Sequence, residues 1–424
     1  MSKLKLFLIL ASALLISCNP TTGPEDQGTG GGTGTGGGGT GNPSWFLTAE
    51  QQKAPYEIVK TIKYTKTGEY YRIPCVIVTE KNTIIVVFDN RKTSNADIGF
   101  TAAAFIEPTV QRSENGGQTW SSDIVVGGLA TTKDTSHGDP VIFRGKNNRI
   151  VILAAAGGAW TGAPSNPSRI SVSISDDDGK SWSAWKDVQG DIFKSGTIVN
   201  NGFVKGFIAS GRGTTLSDGT LAATMLVGSF DGYSKKGAVT YYSKDNGETW
   251  NVGGFIVYNA DNFDEPKIIA QLTDGSLLMS ARPKTQGQER LWATAKSVTD
   301  NWQKVSYASG LIDGRANAEG VRYTLKSEGH SKDRLLFLNC NSSTERIQLT
   351  LHMSEDEGVN WPIKKIIQPG RSCYSSIDVL PDGTIITFAE EPSAASARDN
   401  YDLVFRRFNL YSFTSGNQTY TDTW

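Results

Sequence analysis

Charge of one sign, histidine and methionine are what this sequence is short of. In 424 residues, 42 Lys and Arg face 43 Asp and Glu, so no surplus exists to hold nucleic acid or to lay a polybasic face on a membrane. There are three His, none at ligand spacing from another, so no metal or other cofactor is expected. Of the four Cys, Cys18 stands alone near the N-terminus. Cys75, Cys340 and Cys373 remain, an odd number that cannot complete a disulfide framework. Each lies in or beside an apolar strand and is expected to be a buried free thiol. From Trp45 onward there is also no long stretch of helical periodicity, which excludes a helical fold.

What is abundant is Gly, at 46, and Trp, at 10, the profile of a turn-rich β protein with a repeated aromatic. The first residues read as a targeting signal. Lys3 and Lys5 precede the apolar stretch 6–16, too short to cross a bilayer as a helix, and the stretch stops at Cys18. Leu15-Ile16-Ser17-Cys18 resembles a bacterial lipobox, in which cleavage leaves the cysteine as a lipid-bearing N-terminus. Residues 1–17 are therefore expected to be a signal peptide, and the protein to be exported and held at a bacterial membrane only by lipid on Cys18, or secreted. Residues 18–43, rich in Gly and Thr, read as a coiled tether with an end-to-end distance of about 25–30 Å. Residues 44–424 make up the folded body.

Two interleaved repeats set the expected architecture. Polar turns precede short apolar strands at 82, 148, 218, 274, 333 and 382, at steps of 49 to 70 residues. Asn and Asp-Gly turns between β-rich runs are hairpin signals, and six copies at this spacing predict an all-β, six-bladed propeller. The second repeat is Ser-x-Asp/Asn-x-Gly-x-x-Trp, found at Ser113–Trp120, Ser175–Trp182, Ser243–Trp250 and Ser354–Trp361, with a worn copy at Ser297–Trp302. Its carboxylates are expected to close their own turns and its Trp to pack on the blade, a structural rather than catalytic role.

The hairpins also locate the chemistry. In each blade, the start of the strand entering the turn and the end of the strand leaving it lie together, opposite the turn. Arg72, Arg91, Asp139, Glu265, Arg282, Tyr374 and Glu390 occupy such ends, with Asp97 in an adjoining loop and Arg346 starting the strand after the short loop of blade five. Nine ionisable groups from five blades are thus expected at one mouth.

Arg72-Ile73-Pro74 followed by several Asp-boxes resembles the bacterial sialidase family of glycoside hydrolases, over about residues 50–424. The resemblance implies an exo-sialidase that releases terminal sialic acid from glycoproteins, glycolipids or oligosaccharides, with retention, through a covalent sialyl-tyrosine. It implies Arg72, Arg282 and Arg346 as the clamp on the substrate carboxylate, a group that suits the planar fork of arginine. It implies Glu390 as the support of Arg72, Tyr374 as nucleophile, Glu265 as its base and Asp97 as general acid/base. Arg91 and Asp139 are implied as binding residues around the sugar ring. Trp160 is a candidate cover for the N-acyl group, with a plain surface tryptophan as the other reading.

Asp264, next to Glu265, is a rival base, but strand alternation is expected to turn it to the opposite face. A trans-sialidase or intramolecular trans-sialidase uses the same nucleophile and is the alternative enzyme. A non-catalytic sialic-acid-binding adhesin would have no need of the Tyr374–Glu265 pair.

Overall fold

Six short turns set the architecture. Asn82 and Asn148 hold φ of 63° and 60°, and Gly219, Gly275 and Gly383 hold 89°, 86° and 77°, so the backbone is left-handed where Asn or Gly can take it. The computed structural model describes residues 42–420, apart from 67, 101–104, 189, 191, 230–234, 259–262, 307–310 and 394–399. The expected signal peptide, Cys18 and the tether up to residue 41 lie outside the described residues. No helix among the described residues is long and apolar enough to cross a membrane.

The body is a six-bladed propeller of antiparallel sheets. Blade one runs Tyr70–Val78, Ile84–Arg91, Ile106–Ser113 and Ile124–Val125. Blade two begins at His137–Arg144, and Gly211–Arg212 pairs in parallel on its inner edge. Blades three, four and five are built around Leu221–Gly228, Phe263–Gln271 and Glu319–Thr324. The sixth joins Ser375–Val379, Ile385–Pro392 and Tyr401–Phe408 to Glu57–Lys63, the first strand among the described residues, which closes the ring.

The core consists of layers between neighbouring blades. Side chains alternate along each strand, so Ile142 packs with Ile77 and Val87 of blade one while its neighbour Val141 packs with Leu221 and Val239 of blade three. Comparable apolar layers join blades three to four, four to five, five to six and six to one. This is why the strands read as nearly continuous apolar runs: both faces of each blade are covered.

The Asp-boxes fasten these layers at the turn end. In blade two, Asp177 Oδ1 accepts from the N–H of Lys180 at 3.0 Å and of Ser181 at 2.9 Å. Ser175 Oγ accepts from Gly179 N–H at 2.8 Å. Asn115, Asp245 and Asp356 accept from the N–H four residues on in the same way, each at 2.9 Å. A Cβ on the box glycine would collide with the preceding blade: Gly179 with Ile85, Gly247 with Val151, Gly358 with Leu278 and Gly117 with Phe405. The glycine is demanded by space as well as by its positive φ. Trp120, Trp250 and Trp361 donate their indole N–H to the box glycine carbonyl at 3.2, 3.0 and 3.0 Å. The worn copy differs, since Trp302 donates to Thr240 Oγ1 at 2.9 Å.

Candidate active site

Three inner strands break step at the same height. The pairing register shifts between Arg72 and Cys75, between Gly138 and Val141, and between Phe263 and Pro266. Each break holds a proline, Pro74, Pro140 or Pro266, which has no N–H to give the ladder. Ile73 and Asp139 sit there with φ of 59° and 52°, a conformation a β-branched residue such as Ile73 adopts only when its surroundings force it. The bulges re-aim side chains, so Arg72, Asp139 and Glu265 all turn into one cavity of about 650 Å³.

The cavity wall carries seven of the nine residues expected at the mouth: Arg72, Asp97, Asp139, Glu265, Arg282, Arg346 and Tyr374. Arg91 and Glu390 lie behind it, fully buried. Glu390 holds Arg72 by two contacts, Nε to Oε1 at 2.7 Å and Nη2 to Oε2 at 3.3 Å. It also accepts the N–H of Ile73 at 2.9 Å and of Tyr374 at 3.1 Å. Burial alone would push the Glu390 carboxyl up, but Arg72 and these N–H groups outweigh it and hold it below the usual glutamate range. Arg346 is fixed by Nε donating to the Arg315 carbonyl at 3.0 Å and Nη1 to Cys373 Sγ at 3.0 Å.

At the centre, the Tyr374 hydroxyl donates to Glu265 Oε1 at 2.6 Å and accepts from Arg282 Nη1 at 2.9 Å. Burial raises the Tyr374 phenol well above its ordinary value, against the pull of Arg282 and Arg346, so it rests neutral. Burial also raises Glu265, opposed by Arg282 and reinforced by Asp264. A neutral phenol bonded to a carboxylate of raised basicity is an arrangement from which a proton can pass on attack.

Asp97 is held differently. Its carboxyl pairs with Arg91 Nη1 at 2.7 Å and is 57% exposed, open to whatever enters the cavity. Burial pushes it up, but Arg91 and Arg72 outweigh that and hold it below the usual aspartate range. Arg91 therefore stands under Asp97 rather than on the wall. The expectation that it lines the pocket is corrected, because its fork is taken up by Asp97, by Asp89 at 3.0 Å and by the Asn95 carbonyl at 2.9 Å. Asp139 faces the cavity, raised well above the usual range by burial and by the nearby Asp89 and Asp97.

Sequence reasoning missed Asp89. It is fully buried, pinning Arg91 and accepting the N–H of Asp139 at 3.2 Å. Its only signal is a lone carboxylate closing the apolar run Ile84–Phe88. The apolar half of the cavity, Ile98, Phe100, Ala159, Trp160, Phe207 and Leu226, was also unread except for Trp160. Trp160 packs edge-on against Phe207 at 6.0 Å, with the ammonium groups of Lys205 and Lys236 over its ring at 5.5 and 5.2 Å. Asp264 overturns the alternation argument. The bulge leaves it on the same wall as Glu265, with Arg282 Nη2 at 3.2 Å.

Fold and site together define a class, the Asp-box propeller with clustered arginines and a tyrosine–carboxylate pair at one mouth. The chain belongs to the family described as BNR repeat-like domain, whose model matches residues 91–386. Its relatives put it, within that class, in the bacterial sialidase family. It is 29% identical over 356 residues to a sialidase of Micromonospora viridifaciens, covering 79% of this chain and 52% of that protein. It is 28% identical to a sialidase of Bacteroides fragilis, over 73% of this chain and 58% of that one. The chain thus spans little more than half the length of these curated relatives. Among solved structures, a Hadza microbial sialidase superposes with TM-score 0.65 at 24% identity, over 79% of this chain and 65% of its own. A leech intramolecular trans-sialidase does so with TM-score 0.65 at 17% identity, over 84% and 71%. These two likenesses speak for the propeller fold.

Proposed function

We propose that this protein is an exo-sialidase, which hydrolyses terminal sialic acid from glycoproteins, glycolipids or oligosaccharides with retention of configuration. The observation that carries this is the Tyr374–Glu265 hydrogen bond of 2.6 Å in a cavity shared with Arg72, Arg282 and Arg346. The arginines would take the sugar carboxylate as a charge-assisted fork. Tyr374 O would bond to the anomeric carbon as its proton passes to Glu265, and Asp97 would protonate the departing glycosidic oxygen. Water, giving a proton to Asp97, would then attack the same carbon as its bond to the Tyr374 oxygen breaks, and Glu265 would return the proton to that oxygen.

Asp97 must carry a proton for the first step, yet Arg91 and Arg72 hold its carboxyl below the usual aspartate range. A substrate carboxylate on Arg72 supplies the charge that offsets this, so binding itself would raise Asp97 toward its acid form.

The test is release of sialic acid from a fluorogenic sialoside. Tyr374→Phe is expected to lose about a thousandfold in kcat with an unchanged fold, since the nucleophile is gone. The acid limb of the wild-type kcat profile is expected above the usual glutamate range, because Glu265 must be ionised in the complex and burial raises its carboxyl. Wild-type protein no better than Tyr374→Phe would leave a sialic-acid-binding propeller. The apolar wall of Trp160, Phe207 and Leu226 favours one second reading, transfer within the substrate, because it would keep water from the intermediate. Mass analysis separates the two, free sialic acid for hydrolysis against an anhydro product 18 Da lighter, about one water.

The leader belongs to the same proposal: export, with lipid on Cys18 and the body carried on the tether. In cells fed labelled fatty acid, the protein is expected to take up label and Cys18→Ala to take up none. Equal labelling of the two would refute the anchor.

A further inference from the structure

Asp264 and Glu265 are consecutive residues of a strand, yet both carboxylates face the cavity because of the bulge between Phe263 and Pro266. They divide one guanidinium between them. Arg282 donates Nη1 to the Tyr374 oxygen at 2.9 Å and holds it within ion-pair distance of Glu265 Oε2, at 3.2 Å, while Nη2 reaches Asp264 Oδ2 at 3.2 Å. Behind Asp264 stands Lys236, buried, with Nζ at 3.5 Å, and that ammonium in turn lies over the Trp160 ring. Asp264 is therefore the link between the reactive tyrosine on one side of the cavity and the aromatic wall on the other.

We infer that Asp264 is a positioning residue, an anion that draws Arg282 off Glu265 and so keeps Glu265 a strong enough base for the Tyr374 proton. The inference rests on the reading of Tyr374 and Glu265 as nucleophile and base. Two neighbouring carboxylates whose surroundings push them apart take different duties. Burial pushes Asp264 up, but Arg282 and Lys236 outweigh it and keep it ionised. Burial pushes Glu265 up, and the charge of Asp264 adds to that rise. The other charged or titratable groups facing this pair are Arg346 from blade five, Tyr374 from blade six, Asp139 from blade two and the buried Tyr258 hydroxyl from blade three. Among these, Asp264 is the anion that shares a partner directly with the base.

Without the Asp264 charge, Arg282 settles fully on Glu265, and the base weakens for two reasons of the same sign. A like charge has gone, and the opposite charge has come closer. The cavity also becomes less negative, which favours an anionic substrate. Asp264→Asn in the full chain is thus expected to lower kcat about tenfold, to lower KM as well, and to move the acid limb of the kcat profile down by roughly half to one pH unit. Asp264→Glu is expected to bring the limb back. A variant with wild-type kcat, KM and limb overturns the inference. So does one whose kcat falls while the limb stays and the melting temperature drops, which marks a merely structural carboxylate. A wild-type protein that releases no sialic acid removes the underlying reading instead, a result distinct from an active wild type with an unmoved variant.

Discussion

The two ends of the propeller use the same carboxylates in opposite ways. At the turn end, Asp177 spends its oxygens on Ser175, Lys180 and Ser181, all within four residues. At the mouth, Glu390 binds Arg72, 318 residues away, and Glu265 binds Tyr374 across 109. A box turn can form before the fold exists, whereas the mouth cannot. Anions satisfied within their own turn serve as fasteners, and anions gathered at the mouth come under tension with one another. Burial and mutual charge move Asp89, Asp139 and Glu265 upward, while Asp97 and Glu390 are held down by arginine.

That contrast can be broken from either end. The largest effect is expected at the mouth. Glu390→Gln leaves Arg72 buried without its counter-charge and slackens the N–H anchors of Ile73 and Tyr374, at about 3 kcal/mol. A loss of kcat/KM on the order of a hundredfold is expected by steady-state assay. The sign of its pH dependence follows from the lowered Glu390 carboxyl. The pair's contribution is present above the usual glutamate range and fades as pH falls through the depressed value, so wild type and variant should converge in stability in acid. Near-wild-type activity in the variant would show that the support is dispensable. The smaller effect lies at the turn end. Asp356→Ala removes the acceptor for Asn360 N–H and is expected to cost about 1–2 kcal/mol, lowering Tm by a few degrees, with kcat and KM unchanged. A change in kcat there would mean that the two ends are coupled.

The sequence made the blades legible because each one repeats a local device: an Asn or Gly turn, an apolar run, and the Asp-box. The side of the chemistry was legible too, since hairpin direction carries Arg72, Glu265, Arg282 and Tyr374 to one end whatever the blade packing. What escaped depends on the bulges. Period two predicts one facing residue in every pair, but the breaks at Pro74 and Pro266 put both Arg72 and Ile73, and both Asp264 and Glu265, on the wall. A proline inside an inner strand was the available warning. Asp89 escaped, and Arg91 was placed on the wall, for another reason. Both end the same strand as nominal mouth residues, and only packing shows that they pair with each other and sink below the floor.

The closure of the ring carries one further consequence, for timing. Glu57–Lys63 waits unpaired until Tyr401–Phe408 has been made, and Arg72 waits for Glu390 across the same seam. A growing chain thus holds Arg72 without its anion until the sixth blade emerges. Activity would arrive abruptly with the sixth blade, and a propeller lacking the hairpin of Ser375–Val379 and Ile385–Pro392 would be inert.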